Sequence, residues 1–205
     1  MVRRTKEEAL ATRHRLLDAA EHVFSEKGVS RTCLQDIAQA AGATRGAIYW
    51  HFKNKADLFN AMMARTTLPM EEALHQIGDD TEQDSLDGLR RAIAGMMQKI
   101  ATDERTRRVF EVATLKVEYV DELLEVKVRQ LQIQHQVVCQ MAHSLQACSK
   151  CRARPLRLSP QVAAQGLHAL VVGLIHTWLL APEAFNLAQV AQETVDAYLV
   201  GLGLI

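Results

Sequence analysis

Arg45, Tyr49, His51, Lys53 and Lys55 set five hydrogen-bond donors, three of them permanent cations, within eleven residues that contain no acid. Groups of this kind hold anions: a guanidinium forks onto two acceptors, while an ammonium or a phenol takes one oxygen of a phosphate. Thr44 and Arg45 open the segment. Placed at the start of a helix, Arg45 can donate twice to a guanine edge, and Thr44 can meet a phosphate or a thymine methyl. Gly46 and Ala47 leave the backbone bare enough for another surface to approach. Tyr49, Trp50 and His51 follow one turn later with Lys53 and Lys55 just beyond, where they can fix register on phosphates.

Two short helices must position these groups. Thr32 and Gln35 have the spacing of a capping box, which predicts a helix starting there. Leu34, Ile37, Ala38 and Ala41 recur on one face of it, and Gly42 supplies the unhindered backbone of a sharp stop. Thr44 then caps a second helix, and Asn54 with Asp57 marks the start of a third. Helix, tight turn and helix is the helix-turn-helix layout, whose second helix enters the major groove of DNA with its N-terminal residues toward the bases. Arg3 and Arg4, with Lys6, read as a basic arm, and Arg13 and Arg15 extend it onto the first helix, able to track phosphates or enter the minor groove. The candidate DNA contacts are therefore Arg3, Arg4, Arg13, Thr32, Thr44, Arg45, Gly46, Tyr49, Trp50, His51, Lys53 and Lys55.

The run Arg45-Gly-Ala-Ile-Tyr-Trp-His-Phe-Lys-Asn-Lys55, preceded by Asp36-Ile-Ala and Ala41-Gly, resembles the DNA-binding signature of the tetracycline-repressor (TetR) family. Val2-Arg-Arg-Thr-Lys-Glu-Glu8, Thr12-Arg13, Phe24 and Gly28 resemble the multidrug-efflux-pump repressors within that family. A weaker likeness recurs at Arg105-Thr-Arg-Arg108, Lys116-Val-Glu118, Gly173-Leu-Ile, Trp178-Leu-Leu and Pro182. Ala43 departs from the larger aliphatic residue of many relatives, which should pack the two helices less tightly. The resemblance implies a dimeric repressor that is released by a small molecule.

Composition agrees. The chain has 205 residues, 48% of them hydrophobic, enough for one or two cored domains. Net charge is zero, yet residues 1–60 hold ten Lys and Arg against seven Asp and Glu. The positive end carries the motif. A neutral chain lacks the charge of a protein that coats DNA regardless of sequence. No stretch reaches the ~18 to 20 unbroken apolar residues of a membrane span, and the charged opening lacks the apolar core of a signal peptide. The expectation is a cytoplasmic protein with no membrane partner, in which the four cysteines stay reduced.

Beyond the first three helices the pattern is long amphipathic helices without strand alternation, giving an all-α fold of about nine helices. A division into a DNA-binding domain, 1–55, and a ligand-binding and dimerisation domain, 56–205, follows. Pro69 should break or kink the helix that joins them. Helices are expected around Leu86–Ile100, from about Asp103 to Glu118, and from Asp121 with one apolar stripe through Leu124, Val128, Leu131, His135, Val138, Ala142 and Leu145. Ser159-Pro160 and Asn186 open the last two.

On the helix after Ser159, Ala163, Gly166, Leu170, Gly173 and Thr177 form one line, and Leu167, Val171, Leu174 and Trp178 another. With Val190 and Tyr198 of the last helix, the first line would make a four-helix dimer interface of the kind the resemblance implies; ordinary intramolecular packing fits the same periodicity. A dimer would read an inverted-repeat operator in double-stranded DNA. Met96, Met97, Phe110, Cys139 and Leu167 could line an adaptable apolar cavity with Val171, Leu174, Ile175 and Trp178. Glu111 and Thr114 would add polar contacts, as could His168 and His176, Glu111 favouring cationic guests. Plain core packing is the competing reading of each such residue.

Cysteine spacing suggests a different sensor. His135, Cys139 and His143 share a helix face, and Cys148-Ser-Lys-Cys151 has the spacing of half a zinc site or a redox pair. A metal- or thiol-responsive repressor is therefore the alternative to a drug-responsive one. No phosphate loop, nucleophile elbow or protease-type zinc helix is present, so neither an enzyme nor a cofactor is expected. The reading is a ligand-responsive transcriptional repressor, released by a lipophilic or cationic inducer, of a multidrug efflux operon.

Overall fold

The computed structural model describes residues 6–79 and 85–205. Among them are nine α-helices and no strand: α1 Lys6–Lys27, α2 Leu34–Ala40, α3 Arg45–His51, α4 Lys55–Asp79, α5 Ser85–Thr102, α6 Glu104–Leu115, α7 Leu124–Cys151, α8 Pro160–Leu180 and α9 Leu187–Gly201, with a 3₁₀ turn at Asp121–Leu123. They form two compact units. One runs to Thr66 and includes Arg108–Gln130; the other holds Thr67–Arg107 and Leu131–Ile205. The division drawn from the sequence at 55/56 falls at the first turn of α4, whereas the compact units part eleven residues later along the same helix.

Side-chain caps account for most helix starts. Asn54 accepts from the Asp57 amide at 2.7 Å, Ser159 from Val162 at 3.4 Å and Asn186 from Gln189 at 3.1 Å. Asp103 caps α6 through the Thr106 amide and hydroxyl, and those two bonds hold its carboxyl below the usual range. The first box is one residue later than expected. Cys33, not Thr32, is the cap of α2, and its amide donates to Asp36 at 2.9 Å. Pro69 does not end its helix, since α4 continues to Asp79. The proline withholds an amide from the Arg65 carbonyl.

The first unit has one core. Leu16, Leu17, Ala20 and Phe24 of α1 bury against Leu34 and Ile37 of α2, Ile48 of α3, and Leu58, Phe59 and Met62 of α4. Val109, Val112, Leu123 and Val126 complete it from α6, the 3₁₀ turn and the start of α7. An ion pair with a buried carboxylate also joins two helices: Glu21 of α1 meets the partly exposed guanidinium of Arg65 on α4, which bonds the more exposed Asp18 at 2.9 Å.

In the second unit α9 packs against both α5 and α8. Arg90 forks onto Asp196 at 2.8 and 2.7 Å, pinning α5 to α9. Tyr198 donates to the Ala163 carbonyl at 2.9 Å, and a side chain at Gly166 would collide with its hydroxyl. By length and a mean hydropathy of 1.4, α8 is apolar enough to cross a membrane, although Gln161, Gln165, His168, His176 and Thr177 interrupt it. One side of it carries buried Ala163, Leu167, Val171, Ile175 and Trp178, while Val162, Val172 and Leu180 are exposed on the rest.

The stripe expected along α7 divides. Ala142 and Leu145 are buried, but Leu124, Val128 and Leu131 are about half exposed, and Leu123 and Val126 are buried in their place. α7 passes from the first unit to the second at 130/131, and the 3₁₀ turn and the first turn of α7 bury Leu123 and Val126 in the core of the first.

Replacing Arg65 by Met should lower stability by about 3 kcal/mol, because the Glu21 carboxylate would remain buried without its guanidinium. Urea denaturation of the two proteins measures this; an unchanged midpoint would show that the pair contributes nothing.

Candidate nucleic-acid interface

α3 has seven residues, and only Ile48 of them is buried. Its start is fixed by Thr44, whose hydroxyl accepts from the Ala47 amide at 3.2 Å. The turn before it follows from Gly42 at φ +62°: Gly42 donates to Gln39 at 3.1 Å and Ala43 to Ala38 at 2.8 Å, the paired bonds that close a helix at a left-handed residue. Ala43 packs against the core despite its small side chain. Ile48 and Phe52 point inward together. The opposite side of α3 is therefore held rigidly outward.

On that outward side Thr44, Arg45 and Gly46 are exposed, and a Cβ at Gly46 would meet nothing. The Arg45 guanidinium lies 5.7 Å from the Tyr49 ring centre, one turn on. Tyr49 is 51% exposed and Trp50 73%, with the His51 ring edge-on to the indole at 4.6 Å. Leaving that much aromatic surface in water is unfavourable for folding alone. Lys53 is exposed, while its amide donates to Asp57 at 3.0 Å. Arg13 comes from α1 and lies 5.1 Å from the Phe52 ring centre, at the far end of α3. Arg3 and Arg4 lie outside the described residues.

Two expected contacts are placed differently. Thr32 is buried, its hydroxyl donating to the Gly28 carbonyl at 2.8 Å, so it does not share the exposed surface. Lys55 is 8% exposed and donates to the Ser30 and Thr32 carbonyls at 3.1 and 2.9 Å, with the Glu122 carboxylate at 2.6 Å. Burial came from partners distant in sequence, which no local pattern displays. Glu122 was missed for the same reason. Arg31 is an exposed cation beside them that sequence reasoning passed over, although a basic residue just before a reading motif is a usable signal. Ser30, Arg31, Cys33, Tyr49, Lys53, Lys55 and Glu122 line a groove of about 430 Å³.

The remaining expected site residues divide between the units. Phe110, Glu111 and Thr114 belong to the first, where Lys116 stands 3.8 Å from the Glu111 carboxylate. In the second, Met97, Leu167, Val171, Ile175 and Trp178 are buried, and Met96 and Leu174 are half-buried. Cys139 is exposed, which removes it from an apolar lining. Burial lowers the pKa of His168, which favours its neutral form. Tyr198 packs on Ala163 and Gly166 within the chain, while Gly173 and Thr177 are exposed and Leu170 and Val190 partly so.

The metal and thiol alternative finds no support. His135 and Cys139 approach to 3.6 Å on the open side of α7, but no three His, Cys, Asp or Glu side chains converge among the described residues. Cys148 is buried, which pushes its thiol up and away from the reactive thiolate, and Cys151 is exposed.

Residues 16–62 match the model of bacterial regulatory proteins of the tetR family, and residues 84–203 match the C-terminal region of MAATS-type transcriptional repressors. The chain belongs to the TetR family. It is 37% identical over 198 residues to the HTH-type transcriptional regulator TtgR of Pseudomonas putida, covering 96% of this chain and 93% of TtgR. Its fold is similar to NalD, the secondary repressor of the MexAB-OprM multidrug efflux pump in Pseudomonas aeruginosa, with TM-score 0.86, 36% identity and coverage of 96% and 98%. It is also similar to SmeT, the repressor of the Stenotrophomonas maltophilia efflux pump SmeDEF, in its complex with triclosan, at TM-score 0.83, 32% identity and coverage of 93% and 91%. The helix-turn-helix layout and the all-helical fold read from the sequence are those of the family.

Arg45→Ala should cost ~1 to 3 kcal/mol of operator binding and relax base preference at one position in each half-site. Selection from a randomised duplex pool measures it, and an unaltered consensus would remove Arg45 from the base-reading residues.

Proposed function

We propose that this protein represses a multidrug-efflux operon: a homodimer holds an inverted-repeat operator and lets go when a lipophilic, drug-like molecule binds. The observation that carries this reading is likeness along both units, above 90% of each chain, to repressors of efflux pumps. Likeness in the reading head alone would leave the regulated process open.

In this reading Arg45 and Thr44 face bases at the entrance of α3, and Arg13, Tyr49, His51, Lys53 and Lys55 hold phosphates, with Trp50 against the sugar-phosphate edge. Arg3 and Arg4 act as the minor-groove arm. Pairing of subunits uses the exposed apolar side of α8, Val172, Gly173, Thr177 and Leu180, with Val200 of α9, because Ala163 and Gly166 are already taken by Tyr198. The inducer binds among the buried side chains of the second unit, Met97, Leu167, Val171, Ile175 and Trp178. Its binding shifts a population of states, and coupling of ~1 to 3 kcal/mol lowers operator affinity by roughly 5- to 150-fold. Such a protein works where the DNA is, in the cytoplasm.

Two experiments test the two halves. With the DNA flanking its own gene as probe, the protein should retard a palindromic fragment at low salt and release it when triclosan is added. In a Trp50→Phe protein, triclosan should quench the remaining, buried Trp178. Release without a change in Trp178 emission would place the inducer elsewhere, and no preference for any palindrome over scrambled duplex would sink the repressor reading.

Val172→Glu should abolish the dimer without unfolding the subunit, since Val172 is 46% exposed on α8. Sedimentation should then show a helical monomer with operator affinity reduced at least tenfold; a persistent dimer would move the interface to another face.

A further inference from the structure

The Lys55 ammonium has three N–H donors. In the first unit two of them are engaged by the backbone carbonyls of Ser30 and Thr32, and the third faces Glu122 at 2.6 Å. The lysine is nearly buried, whereas the Glu122 side chain is 54% exposed, so the carboxylate sits on the solvent side of the cation. The groove around it has the chemistry of a phosphate site: Arg31 and Lys53 add cations and Tyr49 a hydroxyl. The Ser30 hydroxyl lines it as well, buried and without a hydrogen-bond partner among the described residues. Glu122 is the one acid in the lining.

We propose that Glu122 is a built-in competitor for a DNA phosphate: its carboxylate occupies the remaining donor of Lys55 in the free protein and must leave before that lysine can grip the duplex. Both ligands are oxyanions that want the same charge-assisted bond, and Lys55 has only one donor to give. The position of Glu122 in the chain makes the contact a means of control. It lies in the 3₁₀ turn between α6 and α7, and this connection also meets the reading head where the Val29 amide donates to the Lys116 carbonyl at 3.0 Å. Whatever moves that connection adds or withdraws the competing carboxylate.

The proposal rests on the reading of Lys55 as a phosphate contact, and the test separates the two. Operator binding by the full-length dimer is titrated against salt for Glu122→Gln, for Glu125→Gln as an exposed acid three residues on, and for Glu122→Gln combined with Lys55→Met, each checked for an unchanged melting transition. Glu122→Gln should bind roughly two- to tenfold more tightly and steepen the slope of log affinity against log salt by up to about 0.9, the share of one phosphate. The double variant should lose that added slope. Without DNA, acylation of Lys55 followed by mass spectrometry should quicken in Glu122→Gln. Equal gains in Glu122→Gln and Glu125→Gln would reduce the effect to bulk charge and overturn the proposal. Weaker or unchanged binding with an unchanged slope in Glu122→Gln would do the same, leaving Glu122 as a support for Lys55. If instead the steeper slope survives in the double variant, the phosphate role of Lys55 is what fails.

Discussion

A helix of seven residues cannot hold its shape alone in water, and α3 is such a helix. Nucleation costs more than two turns of hydrogen bonds return, so its form must be imposed from outside. Ile48 supplies the anchor, Thr44 the start and Gly42 the approach angle. α1 and α2 pack against α3, and Leu58, Phe59 and Met62 of α4 share its core. Using one buried residue for packing frees the remaining faces for contact. That division is the physical reason a motif this short can read DNA.

Electrostatics follows the same constraint. The chain is neutral, so cations have to be concentrated where they work and acids kept from cancelling them. Arg45 lies along Tyr49 and Arg13 along Phe52, which limits the freedom of two long side chains before any duplex arrives. Asp36 and Asp57 are near the motif but are committed to backbone amides at helix starts. Glu122 is the exception, a carboxylate set directly on a motif lysine. The largely buried Glu21–Arg65 pair serves another end. Ion pairs taken out of water add little net stability but penalise misplacement, and this one fixes α4, the helix that carries the chain out of the reading head, against α1.

What could be read from the sequence divides by the range of the interaction. Caps were legible at Thr44, Asn54, Ser159 and Asn186 because donor and acceptor are three residues apart. The Thr32 cap failed by one residue, since Thr32, Cys33, Gln35 and Asp36 offer two overlapping boxes and the aspartate took the amide. The outward face of α3 was legible from type alone. The burial of Thr32 and Lys55 was not, because it depends on Gly28, Ser30 and Glu122, brought there by tertiary folding. The α7 stripe failed because that helix serves two units: its start and the 3₁₀ turn before it bury Val126 and Leu123 in the first, a demand that periodicity within one helix does not reveal. The domain division drawn at 55/56 illustrates the same limit: the stretch 108–130 joins the first unit through Val109, Val112, Leu123 and Val126, a return of the chain that composition does not announce.

α8 shows how one missed contact redirects an argument. Its small residues invited the idea of a close approach by a second subunit along Ala163 and Gly166, and a close approach does occur there, but by Tyr198 of the same chain. A helix apolar on nearly all sides needs cover on nearly all sides. Once Tyr198 and α9 have claimed one flank, Val162, Val172 and Leu180 remain uncovered on the other. The apolar surplus that gives α8 the composition of a membrane span suits the subunit pairing proposed above. In that pairing the uncovered flank, with Gly173 and Thr177, forms the contact, whereas Ala163, Gly166 and Tyr198, named for it on spacing alone, pack on one another within the chain.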